Sequence, residues 1–314
     1  MDDRTPKGDI AASKKATASQ MRYHSLGAPM SNLDRRRLLT TALATAAAGT
    51  TSALLAATPA DTGAGAAADD IRLGVASYSL RAYSRRIAIA MTRRIGAQYI
   101  NIKDFHLPMN LTAAEIQKAR AEFDKAGLTV TGGGTVSFQV DDEADIKAKF
   151  DYAKAAGLPL IVAAPTAVTL PKLEKYVKQY DIKIAVHNHG PEDKHFPNPQ
   201  SILGMVKNMD PRVGICCDVG HAVRTGVDIT ETIRECGSRL LDMHIKDLTD
   251  FTKASSQVPV GEGKMPIVAI FKELKKMRYP GAVMLEYEVD EDNPVPGMQR
   301  SFSYMRGALA GLRG

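Results

Sequence analysis

The 314-residue chain places its most chemically versatile side chains at the ends of short apolar runs. Cys216-Cys217-Asp218-Val219-Gly220-His221 closes one run. His187-Asn188-His189 closes an earlier one, and His244-Ile245-Lys246-Asp247 and Glu286-Tyr287-Glu288 close two later ones. Lys103-Asp104-Phe105-His106 ends a further run upstream. A histidine or acid alone on a loop is ordinarily a solvated group. Here, five of the six histidines beyond residue 68 fall at such ends, with His195 the exception. Imidazole and carboxylate donors brought to one place suit a single divalent ion, and residue type alone does not choose among Mn²⁺, Zn²⁺, Co²⁺, Fe²⁺ and Mg²⁺. Histidine also titrates near neutral pH, which suits proton transfer.

The elements that would carry these residues repeat in one rhythm. Strands are predicted at 71–78, 99–102, 128–131, 158–163, 183–186, 213–217, 240–245 and 282–285, the third closing on Gly132-Gly133-Gly134. Helices are predicted between them, at 81–95, 112–126, 142–156, 170–179, 199–208, 229–236 and 267–277, with a last one at 296–312. Thr112 with Glu115 three residues on is a capping box, and Gly127 and Gly157 are helix stops. The strands are continuous apolar runs, as a parallel sheet covered by helices requires. Eight such units predict a single (β/α)8 barrel over residues 69–314, whose C-terminal strand ends form the site. An open doubly wound sheet is the alternative, but no Gly-x-Gly-x-x-Gly turn follows the first strand to support it.

Strand alternation limits which side chains share the barrel mouth. Only one of His187 and Asn188 points inward, while His187 and His189 share a face, as do His244 and Lys246, and Glu286 and Glu288. Cys216 and Cys217 lie within a strand and read as packing. Three cysteines, two of them adjacent, make no disulfide framework.

Residues 1–68 read differently. Arg35-Arg36-Arg37-Leu38-Leu39 leads into an Ala/Thr/Leu-rich run and then small residues, the pattern of a twin-arginine export signal with cleavage between Ala60 and Ala68. Met30 is an alternative start. Periplasmic or exported localisation follows as an expectation. The run is too rich in Ala and Thr for a stable membrane anchor. This segment carries 8 of the 41 basic and 5 of the 35 acidic residues. The remaining excess of three positive charges is too small to imply a nucleic-acid partner. A homo-oligomer is compatible with the sequence.

Four motifs in order, Asp218-Val219-Gly220-His221, His244-Ile245-Lys246-Asp247, Val260-Gly261-Glu262-Gly263 and Glu286-Tyr287-Glu288, resemble the xylose-isomerase-like sugar isomerase/epimerase barrels. The resemblance extends over the chain from about Ile71. It implies metal ligation by Asp218, His244 and Glu286, with His187 standing where the family has a glutamate. It implies a small carbohydrate substrate and α-proton abstraction through a metal-stabilised enediolate, the chemistry of an isomerase or epimerase. The family's epimerases use two glutamates on opposite faces of the substrate, so His187 opens an alternative. Related barrels suggest β-elimination of the aglycone from a 3-keto-glycoside followed by hydration, and a third reading is a sugar-binding barrel without turnover. A phosphodiester-cleaving barrel would need more ligands and a basic groove. The implied catalytic residues are His187, Glu286, Lys246 and His189, with Glu288 a further candidate base. The implied substrate contacts are His221, Lys103, His106, Glu262 and Glu288.

Overall fold

Eight apolar runs become eight parallel strands of a closed barrel in a computed structural model, which describes residues 71–313. The export-signal reading of residues 1–68, and the alternative start at Met30, lie outside the described residues. The barrel strands are β1 (Arg72–Ala76), β2 (Tyr99–Ile102), β3 (Thr129–Phe138), β4 (Leu160–Pro165), β5 (Lys183–His187), β6 (Val213–Asp218), β7 (Leu240–Ile245) and β10 (Ala282–Leu285). Each pairs in parallel with its sequence neighbours, and β1 closes on β10. The barrel therefore bears out the predicted fold class, and the doubly wound sheet is excluded.

The helices are α1 (Arg85–Ile95), α2 (Ala113–Lys125), α3 (Glu143–Ala155), α4 (Leu170–Tyr180), α5 (Pro199–Val206), α6 (Val219–Val223), α7 (Ile229–Cys236), α8 (Ile267–Lys276) and α9 (Val295–Gly311). None among the described residues is long and apolar enough to cross a membrane. The Thr112–Glu115 capping box forms at the start of α2. A two-stranded hairpin, β8 (Asp247–Leu248) with β9 (Gln257–Val258), interrupts the rhythm after β7. The main core lies between barrel and helices, where side chains such as Phe123, Phe150, Phe271 and Phe302 are fully buried. The barrel interior is filled by smaller groups, Leu160, Val162, Ala185 and Cys216 on one side and Ala76, Ala282 and Met284 on the other. All three cysteines are buried and unpaired.

Two boundaries differ from the sequence reading. The helix expected from Arg81 begins at Arg85, because Ser77–Leu80 first forms a single tight turn and Ser84 then caps α1 in extended conformation. The third strand does not end at its glycines but runs through them to Phe138. Their use is close strand approach: a Cβ at Gly132 would stand 2.8 Å from Leu160 O, and one at Gly134 would stand 2.2 Å from Val162 O. This carries Thr135 to the barrel mouth.

Gly132→Ala is therefore expected to destabilise the fold by about 1–3 kcal/mol, since the neighbour it meets is β4 backbone. Gly204 is exposed within α5, with nothing within 4 Å of an added Cβ. Gly204→Ala is expected to leave stability unchanged or raise it by up to about 1 kcal/mol. Urea unfolding midpoints of the two variants check the contrast.

Candidate active site

Four consecutive strands of the barrel wall, β5, β6, β7 and β10, end on one side of the mouth. Pairing sets His187 level with Cys216, Asp218 level with His244, and Met284 level with His244. The register brings His187, Asp218, His244 and Glu286 together, one donor atom from each within 4.8 Å of all the others, and all four residues buried. His187 Nε2 is 3.0 Å from His244 Nδ1, which is 3.0 Å from Glu286 Oε2. Asp218 Oδ2 lies 3.6 Å from His187 Nε2 and 3.9 Å from His244 Nδ1.

These separations bracket the roughly 3.4 Å edge of a tetrahedron of ligands about 2.1 Å from a central ion. Asp218 Oδ2 is buried and accepts no hydrogen bond, which leaves its lone pairs available to a metal ion. The residues present fit a divalent metal.

The choice between His187 and Asn188 is settled by the strand. His187 turns into the cluster, while Asn188 bonds to β6: its Nδ2 donates to Asp218 O at 3.0 Å and its Oδ1 accepts from Asp218 N at 2.9 Å. That double clamp fixes the backbone of the aspartate. Asp218 in turn caps α6, its Oδ1 accepting from His221 N at 2.8 Å.

Charge holds the cluster together. Lys246 is buried, with Nζ 3.1 Å from Asp218 Oδ2, 3.2 Å from Glu286 Oε2 and 2.5 Å from Glu288 Oε1. Lys103 Nζ lies 3.3 Å from Glu286 Oε1 and donates to Thr135 Oγ1 at 3.0 Å. Burial alone would raise the Asp218 and Glu286 carboxyls. Lys246 reverses this at Asp218, and the contact with the His244 ring together with both lysines reverses it at Glu286, so both groups lie far below the usual carboxylate range. Burial would lower the Lys246 ammonium, but Asp218 and Glu286 keep it well above its usual value. Burial pushes the His187 imidazole well down, more than Asp218 raises it, so the ring is neutral and fit to ligate. Three carboxylates against two ammonium groups leave one negative charge, which favours a cation.

Above the cluster opens a cavity of about 320 Å³, lined by Lys103, His187, His189, His221, Glu286 and Glu288 and by Tyr78, Asp104, Phe105 and Thr135. His189 Nδ1 is 3.1 Å from Asp193 Oδ2, which leaves Nε2 as the free ring nitrogen. Of the eleven residues singled out from sequence, nine thus belong to the cluster or its immediate surroundings.

The other two lie elsewhere. His106 does not reach the cavity: it is fully buried, Nδ1 bonded to Ser77 Oγ at 2.9 Å and Nε2 3.2 Å from the carbonyls of Leu80 and Tyr83. Ser77 Oγ also accepts from Lys103 N at 2.8 Å, so this histidine braces the loop that presents Lys103. Glu262 turns outward to Arg300 Nε at 2.6 Å. Its loop is folded by Asp247, whose carboxylate accepts from Gly261, Gly263 and Met265 N–H groups at 2.8–3.0 Å. The cavity residues Tyr78, Phe105 and Thr135 escaped the sequence reading. Tyr78 and Phe105 stand at strand ends already marked, but Thr135 was hidden by the misplaced end of β3.

A parallel eight-stranded barrel with a buried mixed-donor cluster at its C-terminal rim is a metal-competent TIM barrel. Residues 89–308 match the family described as xylose isomerase-like TIM barrel, and the chain belongs to that family. Inosose dehydratase of Mesomycoplasma hyopneumoniae is 27% identical over 162 residues, covering 45% of this chain and 53% of that enzyme. The chain thus spans about half the length of that relative. Among solved structures, an IolI protein with a bound zinc atom has TM-score 0.65 at 17% identity, covering 77% of this chain and 99% of that one. An L-ribulose 3-epimerase has TM-score 0.63 at 16% identity, covering 78% and 96%. These structural likenesses establish the fold.

Lys246→Met removes the buried cation and leaves two carboxylates facing each other. It is expected to cost about 3–5 kcal/mol in the metal-free protein. Added zinc should then stabilise the variant more than it stabilises the unaltered chain, as read by thermal unfolding with and without the ion.

Proposed function

We propose that this protein is a metal-dependent carbohydrate enzyme that removes a proton from the carbon next to a ketone. The observation that carries this reading is the convergence of His187, Asp218, His244 and Glu286 beneath an open polar cavity. A divalent ion held by these four would supply Lewis acidity at the ketone and its neighbouring hydroxyl, making the α-proton easier to remove. Two imidazoles among the donors favour zinc, cobalt, iron or manganese over magnesium.

The chain's own groups divide the remaining work. Lys103, on the Glu286 side of the cavity, donates to an oxygen of the substrate. His221 and Glu288 contact hydroxyls across the cavity. Lys246, paired with three carboxylates, keeps the acids ionised. His187 has its Nε2 inside the cluster and is buried, which makes it a ligand and not the base. Glu286 accepts from cations on both oxygens and is a weak base for the same reason. His189 is the base that fits: partly exposed, lining the cavity, and oriented by Asp193.

One base on one face suits isomerisation of a ketose. It suits equally the elimination of an aglycone from a 3-keto-glycoside, where the proton leaves C2, the C1–O bond breaks and water adds afterwards. The imidazole at position 187, in place of a second carboxylate, favours both over symmetric epimerisation. Export by a twin-arginine signal, with action outside the cytoplasm, belongs to the same proposal.

Metal analysis of the purified protein is expected to find about one divalent ion per chain; a metal-free active protein would sink the reading. Incubation in deuterated water with a ketohexose, and separately with a 3-keto-glucoside, is expected to place deuterium on the α-carbon of the true substrate class. His189→Asn should lower that exchange by about 10²- to 10⁴-fold. Absence of exchange from every ketose and keto-glycoside would leave a sugar-binding barrel. His187→Glu is expected to raise epimerase activity on a ketohexose, measured by product chromatography.

A further inference from the structure

The cavity has two unlike walls. The ends of β5, β6, β7 and β10 give it the donor cluster, while Tyr78, Phe105 and Thr135 come from the ends of β1, β2 and β3 across the barrel. Phe105 is the exception in this polar setting. It lines the cavity and is 51% exposed, although a phenylalanine ring gains from burial.

The backbone fixes that exposure. Lys103 O accepts from His106 N at 3.0 Å and from Leu107 N at 3.2 Å, so Phe105 sits within a tight turn. The two residues after it are fully buried, Leu107 in the core and His106 against Ser77, Leu80 and Tyr83. Phe105 cannot follow them inward. Its ring is backed by Tyr78, with centroids 5.9 Å apart and planes tilted by 44°, and by the edge-on ring of His106 at 6.4 Å. Tyr78 is held in turn by the Arg81 guanidinium, 4.6 Å from its centroid, and by Lys103 Nζ at 5.5 Å.

A rigid aromatic ring, supported behind and open in front, suits a flat and weakly polar partner. The substrate itself supplies one. Its reacting carbons must lie at the floor, against the donor cluster and His189. A ketohexose carries hydroxyls on its remaining carbons and brings no second ring to the lip. A glycoside projects its aglycone outward, from the carbon beside the one that loses its proton. We propose that Phe105, backed by Tyr78, is the specificity-determining residue that holds a ring-bearing aglycone, which makes the substrate a keto-glycoside and not a free ketose. An aryl group and a second sugar ring both offer a face that stacks on phenyl. The sugar at the floor rests on the proposed function, whereas Phe105 binds the aglycone ring whether or not that sugar reacts.

The full chain, loaded with zinc, is assayed for turnover of methyl and phenyl 3-keto-β-glucoside, of cellobiose oxidised to the ketone at C3 of its non-reducing ring, and of a ketohexose. KM for the phenyl glucoside is expected to lie about three- to ten-fold below that for the methyl glucoside. Phe105→Ala should bring that ratio to about one, and Phe105→Trp should keep it. The oxidised cellobiose tells a second sugar ring from an aryl group, and a lower KM than the methyl glucoside for either supports the proposal. Equal KM for all three glycosides overturns it and leaves the proposed function standing. So does a folded Phe105→Ala protein, checked by circular dichroism, that keeps the unaltered ratio. Turnover of the ketohexose with none of any glycoside overturns it as well. Should Phe105→Ala fail to fold, the unaltered and Phe105→Trp proteins still decide. If nothing is turned over, calorimetry with phenyl and methyl β-glucoside replaces the assay. A preference for phenyl that is lost in Phe105→Ala then sinks the proposed function and keeps the aromatic platform, while no preference sinks both.

Discussion

Everything at the barrel mouth depends on how two buried carboxylates, Asp218 and Glu286, are kept ionised. Removing a carboxylate from water is costly unless opposite charge replaces the lost hydration. Lys246 supplies that charge to both, and Lys103 supplies it to Glu286 from the opposite side. Such an arrangement tolerates little movement, because the interaction strengthens steeply as the groups approach in a poorly polar interior. Rigid strand ends are therefore the natural support. Loops would let the charges drift apart and take up water.

A second layer of contacts turns rigidity into position. Asn188 ties β5 to the backbone of Asp218, and Asp218 caps α6 on its way to presenting a carboxylate oxygen. His106 and Ser77 brace the backbone of Lys103. Asp247 gathers three backbone N–H groups and folds the Val260–Gly263 loop, turning Glu262 away from the cavity. Several polar residues that look reactive in the sequence are thus framework. Buried polar groups must find partners whether or not they do chemistry, and a chain that buries charge at its rim needs many of them.

The family supplies the barrel, and this chain's own residues set the donors at one corner of its rim. An imidazole at position 187 makes the donor cluster two nitrogens and two oxygens. It also leaves His189, one alternation further along the same chain direction, as the partly exposed ring over the cavity. The two lysines meet three carboxylates, Asp218, Glu286 and Glu288, and the one negative charge left over favours a cation.

Much of this was written in the order of residues. Apolar runs separated by helical periodicity determine a parallel barrel, because only helices on the outside can cover a sheet that is apolar on both faces. Strand ends bearing His187, Asp218, His244 and Glu286 then fall on one rim, since every strand of such a barrel points the same way. Tertiary structure decided what spacing along the chain cannot carry. The choice of His187 over Asn188, the extension of β3 through its glycines to Thr135, the inward retreat of His106 and the outward turn of Glu262 all depend on contacts between residues distant in sequence. Arg224 shows the limit most plainly. It follows α6, three residues after His221, and nothing in the sequence marks it; only the packing around Gly190 and Glu192 sets it against the imidazole. Periodicity reports which face of an element is covered. What covers it, and which atom of a ring meets which donor, is decided when the elements close on one another.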